Sequence, residues 1–246
     1  MAFLADRTEA GMIANALRGD VERYAELVRR DNPLFVRAAA GSLDRASIAK
    51  YLANIRYLIR HTQHHFIVAS DEAALRGYPE LAVYYRHKQR EEAGHDEWAR
   101  RDLQRVANRD AGWADDNIVP AMHELMRLHV DWIRRDPRLF LSYMLFGEYL
   151  IALIGPAWLK LLAERCGIPA SSMTVVGNHT ELDPGHVEEW SECVDRIVTE
   201  PHMLQPMRDV LLETFASFER FCAEVVEASH EDERGEGGDE HRVSAA

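Results

Sequence analysis

Three polar residues in the stretch VGNHTELDPGHVEEW, at 176–190, have the types and the spacing of a metal site. His179, Asp183 and His186 are separated by four and then three residues, so a helix would place all three on one face. Apolar residues continue that face on both sides, which predicts that it is buried. Two imidazoles and a carboxylate in a buried seam are costly unless a partner neutralises them, and a metal ion is a common partner. The alternative is a hydrogen-bonded polar core without metal.

Two other segments offer further ligands. Glu92 and His95 form a Glu-x-x-His pair on one predicted helix, an arrangement that di-iron sites in helical bundles use. Glu148 is the only formally charged residue in the apolar run LFLSYMLFGEYLIALIG, so it requires a cation, a hydrogen-bond partner or a raised pKa. The alternative for Glu148 is a salt bridge to an arginine of a neighbouring helix. Gly147 beside it is expected to allow close approach of another helix.

The six residues of these segments supply three carboxylates and three imidazoles and no thiolate. Such a mixed set suits iron or manganese, with zinc as a third option. Six protein ligands are too many for one catalytic metal with an open position, but they suit two metals bridged by carboxylates, which could bind and reduce O2. The sequence therefore predicts a dinuclear centre.

Further side chains are candidates for contact with a substrate. His61, on a predicted long helix, is either a metal or substrate contact or an ordinary core histidine. Lys88 shares the predicted seam of Glu92 and His95, where it either receives a substrate carboxylate or forms a salt bridge with a neighbouring glutamate. The residues expected to line a cavity between the helices are Tyr57, Tyr85, Lys88, Phe146 and Tyr149.

The elements that must position these residues are predicted to be helices throughout. The 246 residues are 47% hydrophobic, enough for a substantial core, and helical periodicity recurs without alternating β-branched runs. We expect one all-α domain over residues 1–230 and a disordered acidic tail over 231–246. The helices are expected at about 8–30 (capped by Thr8), 34–40, 44–75, 80–106, 118–135, 137–165, 171–198 and 203–229.

Composition narrows the classes of partner and compartment. A formal charge of −12 disfavours nucleic acid and anionic membranes as partners. Three scattered cysteines argue against a disulfide framework and against a thiolate metal site. We identify no apolar run of membrane-spanning length and no leader at Met1, so a soluble, cytoplasmic protein is expected.

The order of motifs resembles a known superfamily over about residues 30–225. The segments Asn32-Pro33-Leu34-Phe35 and Gly41-Ser42-Leu43, followed by a long Tyr-rich helix, resemble the opening of thiaminase II and of pyrroloquinoline-quinone synthase. The segments EEAGHDEW and HTELDPGHVEEW are similar to the iron-containing branch of the same heme-oxygenase-like superfamily, which includes the heme-oxygenase-like di-iron oxidases and the CADD-type proteins. The resemblance implies a compact bundle of seven or eight helices, a homodimer, and O2-dependent oxidation of an amino acid, an amine or a carboxylic acid derivative.

The resemblance also assigns ligands residue by residue. The positions that match metal ligands of that branch are His95, Glu148, His179, Asp183 and His186, with Glu92 in members that use a Glu-x-x-His pair. Many members also place a glutamate on the long helix, whereas this chain has no Glu or Asp from Arg45 to Ser70. His61 is the nearest substitute, and the gap implies a weakly held second iron.

Three other functions fit parts of the pattern. A metal-free TenA/PqqC-like oxidase or hydrolase would use the same histidines for acid–base chemistry. A heme oxygenase would call for a proximal histidine near the start of the chain, and the first thirty residues contain none. A binding protein of this fold with a vestigial site is the third alternative, and absence of O2 uptake would favour it.

Overall fold

A computed structural model of the chain describes residues 11–107 and 117–236. Over these ranges it contains nine α-helices and no strand, which confirms the all-α prediction. The helices are α1 (Met12–Asp31), α2 (Pro33–Ala39), α3 (Arg45–Leu75), α4 (Pro79–Glu91), α5 (Asp96–Ala107), α6 (Pro120–Arg135), α7 (Phe140–Arg165), α8 (Thr174–Ile197) and α9 (Leu204–Glu236). Short 3-10 turns lead into α7, α8 and α9.

Local sequence explains where the first helices begin. Asp44 caps α3 by accepting a hydrogen bond from the Ser47 amide at 2.7 Å. Asn32 caps α2 in the same way through the Leu34 amide, with Pro33 in the first turn. The predicted cap at Thr8 lies outside the described residues.

The predicted helix over 80–106 is wrong, because α4 ends at Glu91 and α5 begins at Asp96. Gly94 lies between them with φ 91°, a left-handed conformation that a helix cannot contain and that glycine adopts without a steric penalty. The break raises the helix count above the seven or eight that were expected. Glu92 and His95 therefore lie in a turn and not on one helical face.

Helix α7 packs closely against α8, and the glycine that permits this is not the predicted one. A Cβ added to Gly155 would collide with Thr180 Oγ1 of α8, whereas a Cβ added to Gly147 would meet no atom within 4 Å. Gly147 instead lines an internal cavity. The expectation for Gly147 is therefore wrong, and Gly155 takes that role.

The expectation that no apolar run reaches membrane-spanning length is also wrong. The segment Pro137–Arg165 is, among the described residues, the one helix long and apolar enough, with a mean hydropathy of 1.6. The rest of the protein buries 61% of the most apolar 18-residue stretch of this segment, as is usual for the central helix of a bundle. Helix α9 continues to Glu236, into the stretch expected to be disordered, and residues 237–246 lie outside the described residues.

Candidate metal centre

The six predicted ligands come from three elements. The α4–α5 turn supplies Glu92 and His95, α7 supplies Glu148, and α8 supplies the remaining three. Four of the six line one cavity: Glu92, Glu148, His179 and Asp183. The structure thus brings four of the six predicted ligands to one cavity, and the other two contact them.

Glu92, His95 and His179 form the tighter half of the centre. One ligand atom from each lies within 4.8 Å of the others. His95 Nδ1 lies 2.9 Å from Glu92 Oε2, and His179 Nε2 lies 3.7 Å from the same oxygen. The ring of Trp98 stacks on that of His95 with centroids 4.0 Å apart, which fixes the plane of this imidazole.

Hydrogen bonds from the backbone orient His179. Its Nδ1–H donates to the Val175 carbonyl at 2.6 Å, so Nε2 is the nitrogen that faces Glu92. The fully buried Asp102 of α5 accepts hydrogen bonds from the Val175 amide at 2.7 Å and from Thr174 Oγ1 at 2.8 Å. Metal-binding histidines are commonly fixed in this way, with the second ring nitrogen bonded to a carbonyl or carboxylate.

Asp183, His186 and Glu148 form the looser half of the centre. His186 Nδ1 lies 3.4 Å from Asp183 Oδ1 and 3.9 Å from Glu148 Oε1. Asp183 is fully buried, yet neither of its oxygens accepts a hydrogen bond from the residues that the structure describes. Glu148 Oε2 and His186 Nδ1 likewise have no hydrogen-bond partner among the described residues. Buried polar atoms normally have hydrogen-bond partners, so a cation would fit among these atoms.

The pKa shifts in the tighter half of the centre favour a proton on His179, at a position where a cation would fit. Burial opposes charge on Glu92, but hydrogen bonds with His179 and His95 outweigh it and hold the pKa of Glu92 well below its usual value. Burial likewise opposes charge on His179, yet Glu92 and Asp183 raise the pKa of His179 to about 9. Without metal, the Glu92 carboxylate therefore faces a protonated imidazole.

In the other half of the centre, burial opposes ionisation of the two carboxyl groups. Burial raises the pKa of Glu148 to about 8, although Lys88 and His186 pull it down. Burial also raises the pKa of Asp183. The neighbouring Asp183 carboxylate raises the pKa of His186. Carboxyls that resist ionisation in this way would gain most from a bound cation.

Lys88 is fully buried and forms the salt bridges that were one of its two predicted roles. Its Nζ lies 3.1 Å from Glu91 Oε2, 3.1 Å from Glu189 Oε2 and 3.7 Å from Glu148 Oε1. The partner of Glu148 is thus a lysine and not the arginine that was considered. A second group, His87 with Glu91 and Glu189, has ligand-like geometry. The ammonium of Lys88 lies 3.1 Å from an oxygen of each of its two carboxylates and offsets one of their two negative charges.

The cavity beside the ligands has a volume of about 190 Å³ and lies between α3 and α7. Of the five side chains expected to line it, Phe146 does so, and Tyr57, Tyr85, Lys88 and Tyr149 do not.

The three tyrosines have different locations. Tyr57 bonds to His123 Nδ1 at the surface, and Tyr149 bonds to Glu22 of α1. Tyr85 is fully buried, with its hydroxyl on the Pro137 carbonyl. These contacts turn the side chains away from the cavity.

His61 also lies outside the cavity wall. Its Nδ1 bonds to the Tyr57 carbonyl at 2.8 Å and its ring lies tilted against that of Tyr57, with centroids 3.9 Å apart. In this position it does not take the place of the glutamate that α3 lacks. Thr62 is the polar residue that α3 presents to the cavity, and its Oγ1 lies 3.5 Å from the Tyr143 hydroxyl.

Sequence reasoning did not identify Asp102, Tyr143 or Thr62. Asp102 could have been suspected because it lies on an apolar face with Leu103 and Val106, where an unpaired carboxylate would be costly. Thr62 and Tyr143 carry no comparable signal, since either could equally pack in an ordinary core.

Comparison with known proteins supports the fold. Neither a known family nor a curated protein matches this chain. A domain of unknown function with a heme oxygenase-like fold from Shewanella denitrificans superposes with a TM-score of 0.79 at 18% identity, covering 88% of this chain and 93% of that one. A TenA homolog from Pseudomonas syringae superposes with a TM-score of 0.68 at 10% identity and the same coverage. The chain therefore has the heme-oxygenase-like fold, as the sequence resemblance predicted.

Proposed function

We propose that this heme-oxygenase-like bundle is a non-heme di-iron oxidoreductase that uses O2 to oxidise a small molecule. The observation that carries the proposal is Asp183, a fully buried carboxyl 3.4 Å from His186 Nδ1. Both of its oxygens, His186 Nδ1 and Glu148 Oε2 have no hydrogen-bond partner among the described residues. A core does not retain such a set without a partner, because each unpaired buried group costs about 1–3 kcal/mol. A cation bound among them would satisfy all of these atoms at once.

The donor set fits iron. Glu92, His95 and His179 would hold one ion, and Glu148, Asp183 and His186 the other. Carboxylate and imidazole ligands without thiolate are typical of iron and manganese centres in helical bundles. Bound iron would supply the electrons and the open coordination positions that reaction with O2 needs.

The protein's own residues prepare the site for binding. The Val175 carbonyl keeps the proton of His179 on Nδ1, so that Nε2 can act as a ligand once its own proton is released. The wall of the cavity beside the ligands is largely apolar, and an apolar environment strengthens their electrostatic interactions. Lys88 lowers the pKa of Glu148 and so favours the ionised carboxylate, the form that binds a cation.

Many members of the branch that this sequence resembles have a glutamate on the long helix. No residue of α3 takes its place here. The face of α3 toward the cavity presents Leu58, Ile59 and Thr62. The second ion would therefore rely on Glu148, Asp183 and His186 alone, which supports the expectation that it is held more weakly.

Iron content and O2 uptake test the proposal. Protein loaded with Fe(II) without oxygen and then desalted should retain up to two irons per chain and should consume O2 when exposed to it. Glu148→Gln keeps the shape of the side chain but removes its charge, so it should lose iron and O2 uptake. Glu189→Gln is the matched control, because Glu189 also contacts Lys88 but does not line the cavity. Wild-type protein without retained iron, or equal iron in both variants, would refute the di-iron site.

A further inference from the structure

One tryptophan contacts both imidazoles of the tighter half of the centre. The ring of Trp98 lies 4.0 Å from that of His95 with the planes inclined by 19°, and 5.6 Å from that of His179 with the planes inclined by 76°. The two imidazoles lie 5.0 Å apart and nearly perpendicular to each other. Both histidine ligands proposed for one ion therefore have the same indole as a neighbour.

Trp98 also reaches the surface of the protein. It is partly exposed and does not line the cavity, so its accessible area is not that of the cavity. The other tryptophans that the structure describes, Trp132, Trp158 and Trp190, are buried, with 3% or less of their surface exposed. Over residues 11–107 and 117–236, Trp98 is therefore the one tryptophan that connects the candidate ligands with solvent.

The indole has a chemical property that packing alone does not need. A phenyl ring would fix the plane of the His95 imidazole equally well, but an indole loses an electron far more readily than a phenyl ring. Among the described residues no lysine or arginine lies over the Trp98 ring, where a positive charge would oppose loss of an electron. Because electron transfer slows steeply with distance, direct contact with two ligands favours it.

We infer that Trp98 is redox-active and supplies one electron to the centre when O2 has oxidised it and the cavity holds no substrate. The inference rests on the proposed function, which supplies the iron and the O2. One electron passes from the indole through the stacked His95 ring and reduces the oxidised centre by one equivalent, while the indole nitrogen releases its proton to water. A small reductant in solution, a thiol or ascorbate, then returns one electron, and water returns the proton. The oxidising equivalent thus leaves through Trp98 and does not attack the ligands.

A freeze-quench experiment tests the inference. Protein is loaded with Fe(II) without oxygen, mixed with O2 in the absence of substrate, and frozen for electron paramagnetic resonance, with retained iron measured on the same sample. We expect an organic radical whose hyperfine pattern narrows in protein that carries ring-deuterated tryptophan. Ascorbate should shorten the lifetime of this radical at least tenfold, because Trp98 is partly exposed. A radical that tryptophan deuteration or ascorbate leaves unaltered, or no radical in protein that retains iron, would overturn the inference.

Substitutions assign the radical to its position. Trp98→Phe keeps an aromatic ring against His95, so the radical yield per retained iron should fall at least tenfold without loss of iron. Trp98→Tyr should restore a radical, because a phenol also loses an electron readily. Trp158→Phe is the matched control and should keep the full yield, since Trp158 lies ten residues after Glu148 on α7, about 15 Å along the helix axis, and packs against other rings of the cavity wall. Equal losses in the two phenylalanine variants would contradict the assignment to Trp98.

The outcomes separate this inference from the proposed function. Protein that retains two irons and consumes O2 without a Trp98 radical would support the centre and refute the inference. Protein that retains no iron would refute the di-iron centre and the inference with it. Zinc has no redox change of its own, so zinc-loaded protein should form no radical with O2. A radical in zinc-loaded protein would come from an oxidant in solution and would also overturn the inference.

Discussion

Lys88 Nζ lies 3.7 Å from Glu148 Oε1, and both side chains are withdrawn from solvent in the seam between α4 and α7. Through Lys88, the candidate ligand on the central helix is connected to two more carboxylates, Glu91 and Glu189. Lys88 therefore offsets a concentration of negative charge that the fold would otherwise have to bury uncompensated.

Replacement of this lysine should destabilise the protein. Lys88→Met retains the aliphatic stem but leaves the carboxylates of Glu91 and Glu189 without their cation, so the free energy of unfolding should fall by about 3–5 kcal/mol. Urea denaturation of metal-free protein measures the change. The exposed Lys160, replaced in the same way, should leave the midpoint unaltered. If the two methionine variants unfold at the same urea concentration, Lys88 has no such stabilising role.

Asp102 should influence metal affinity without contacting the metal. Asp102→Asn places an amide donor against the Val175 amide or Thr174 hydroxyl, which loosens the start of α8 and the carbonyl that orients His179. Loss of such a supporting group typically weakens metal binding about 10–100-fold. Competition with a chelator measures this affinity. Asp131→Asn, at an exposed position of α6, is the control and should bind metal like the wild type.

The buried pair His65 and His129 should make stability sensitive to acid. Their Nδ1 atoms lie 3.1 Å apart, and burial lowers the pKa of His65 from 6.5 to about 4 and the pKa of His129 well below its usual value. As the pH falls below about 6.5 the unfolded chain binds protons that the folded chain does not, so stability is lost between about pH 6.5 and 4. For His65 alone this loss is on the order of 3 kcal/mol.

Unfolding free energies measured across this pH range test the histidine pair. His129→Leu should flatten the profile, because one of the two buried imidazoles is gone. The exposed His202, replaced by leucine, should leave the slope as it is. An unchanged slope in His129→Leu would mean that His129 does not contribute to the acid sensitivity.

The contact between Gly155 and Thr180 should control the spacing of α7 and α8. Gly155→Ala forces its Cβ against Thr180 Oγ1, so we expect a loss of about 1–3 kcal/mol in stability and reduced iron retention. The double variant Gly155→Ala, Thr180→Ala removes the clashing oxygen and should restore most of both. Gly177→Ala should be neutral or slightly stabilising, since its Cβ meets nothing. Absence of rescue in the double variant would contradict the steric explanation.

The sequence contains enough information for the fold and for the three ligand-bearing segments. Periodicity identifies the faces of α7 and α8 directly, because the polar residues interrupt otherwise apolar stripes. The break at Gly94 could not be predicted in this way. Its neighbours have good helix propensity, and one glycine costs a helix only about 1 kcal/mol, so tertiary packing decides whether the helix continues.

The cavity wall was the least predictable part of the site. Periodicity shows that Tyr51 and Tyr143 face inward, but it shows the same of Tyr85, which packs in the solid core. Whether an inward side chain meets a neighbour or a void depends on how far two helices stand apart. That distance arises from contacts among distant parts of the chain, and no local pattern records it.

Every candidate ligand lies between Glu92 and His186, whereas α2, α3 and α9 contribute only wall to the cavity. In the proposed oxidoreductase, reactivity and selectivity would thus be encoded in largely separate stretches of the chain. Substitutions in α2, α3 and α9 would then alter which molecules fit while the candidate ligands stay intact. Such a bundle would diversify toward new substrates by changing residues that do not contact the ion.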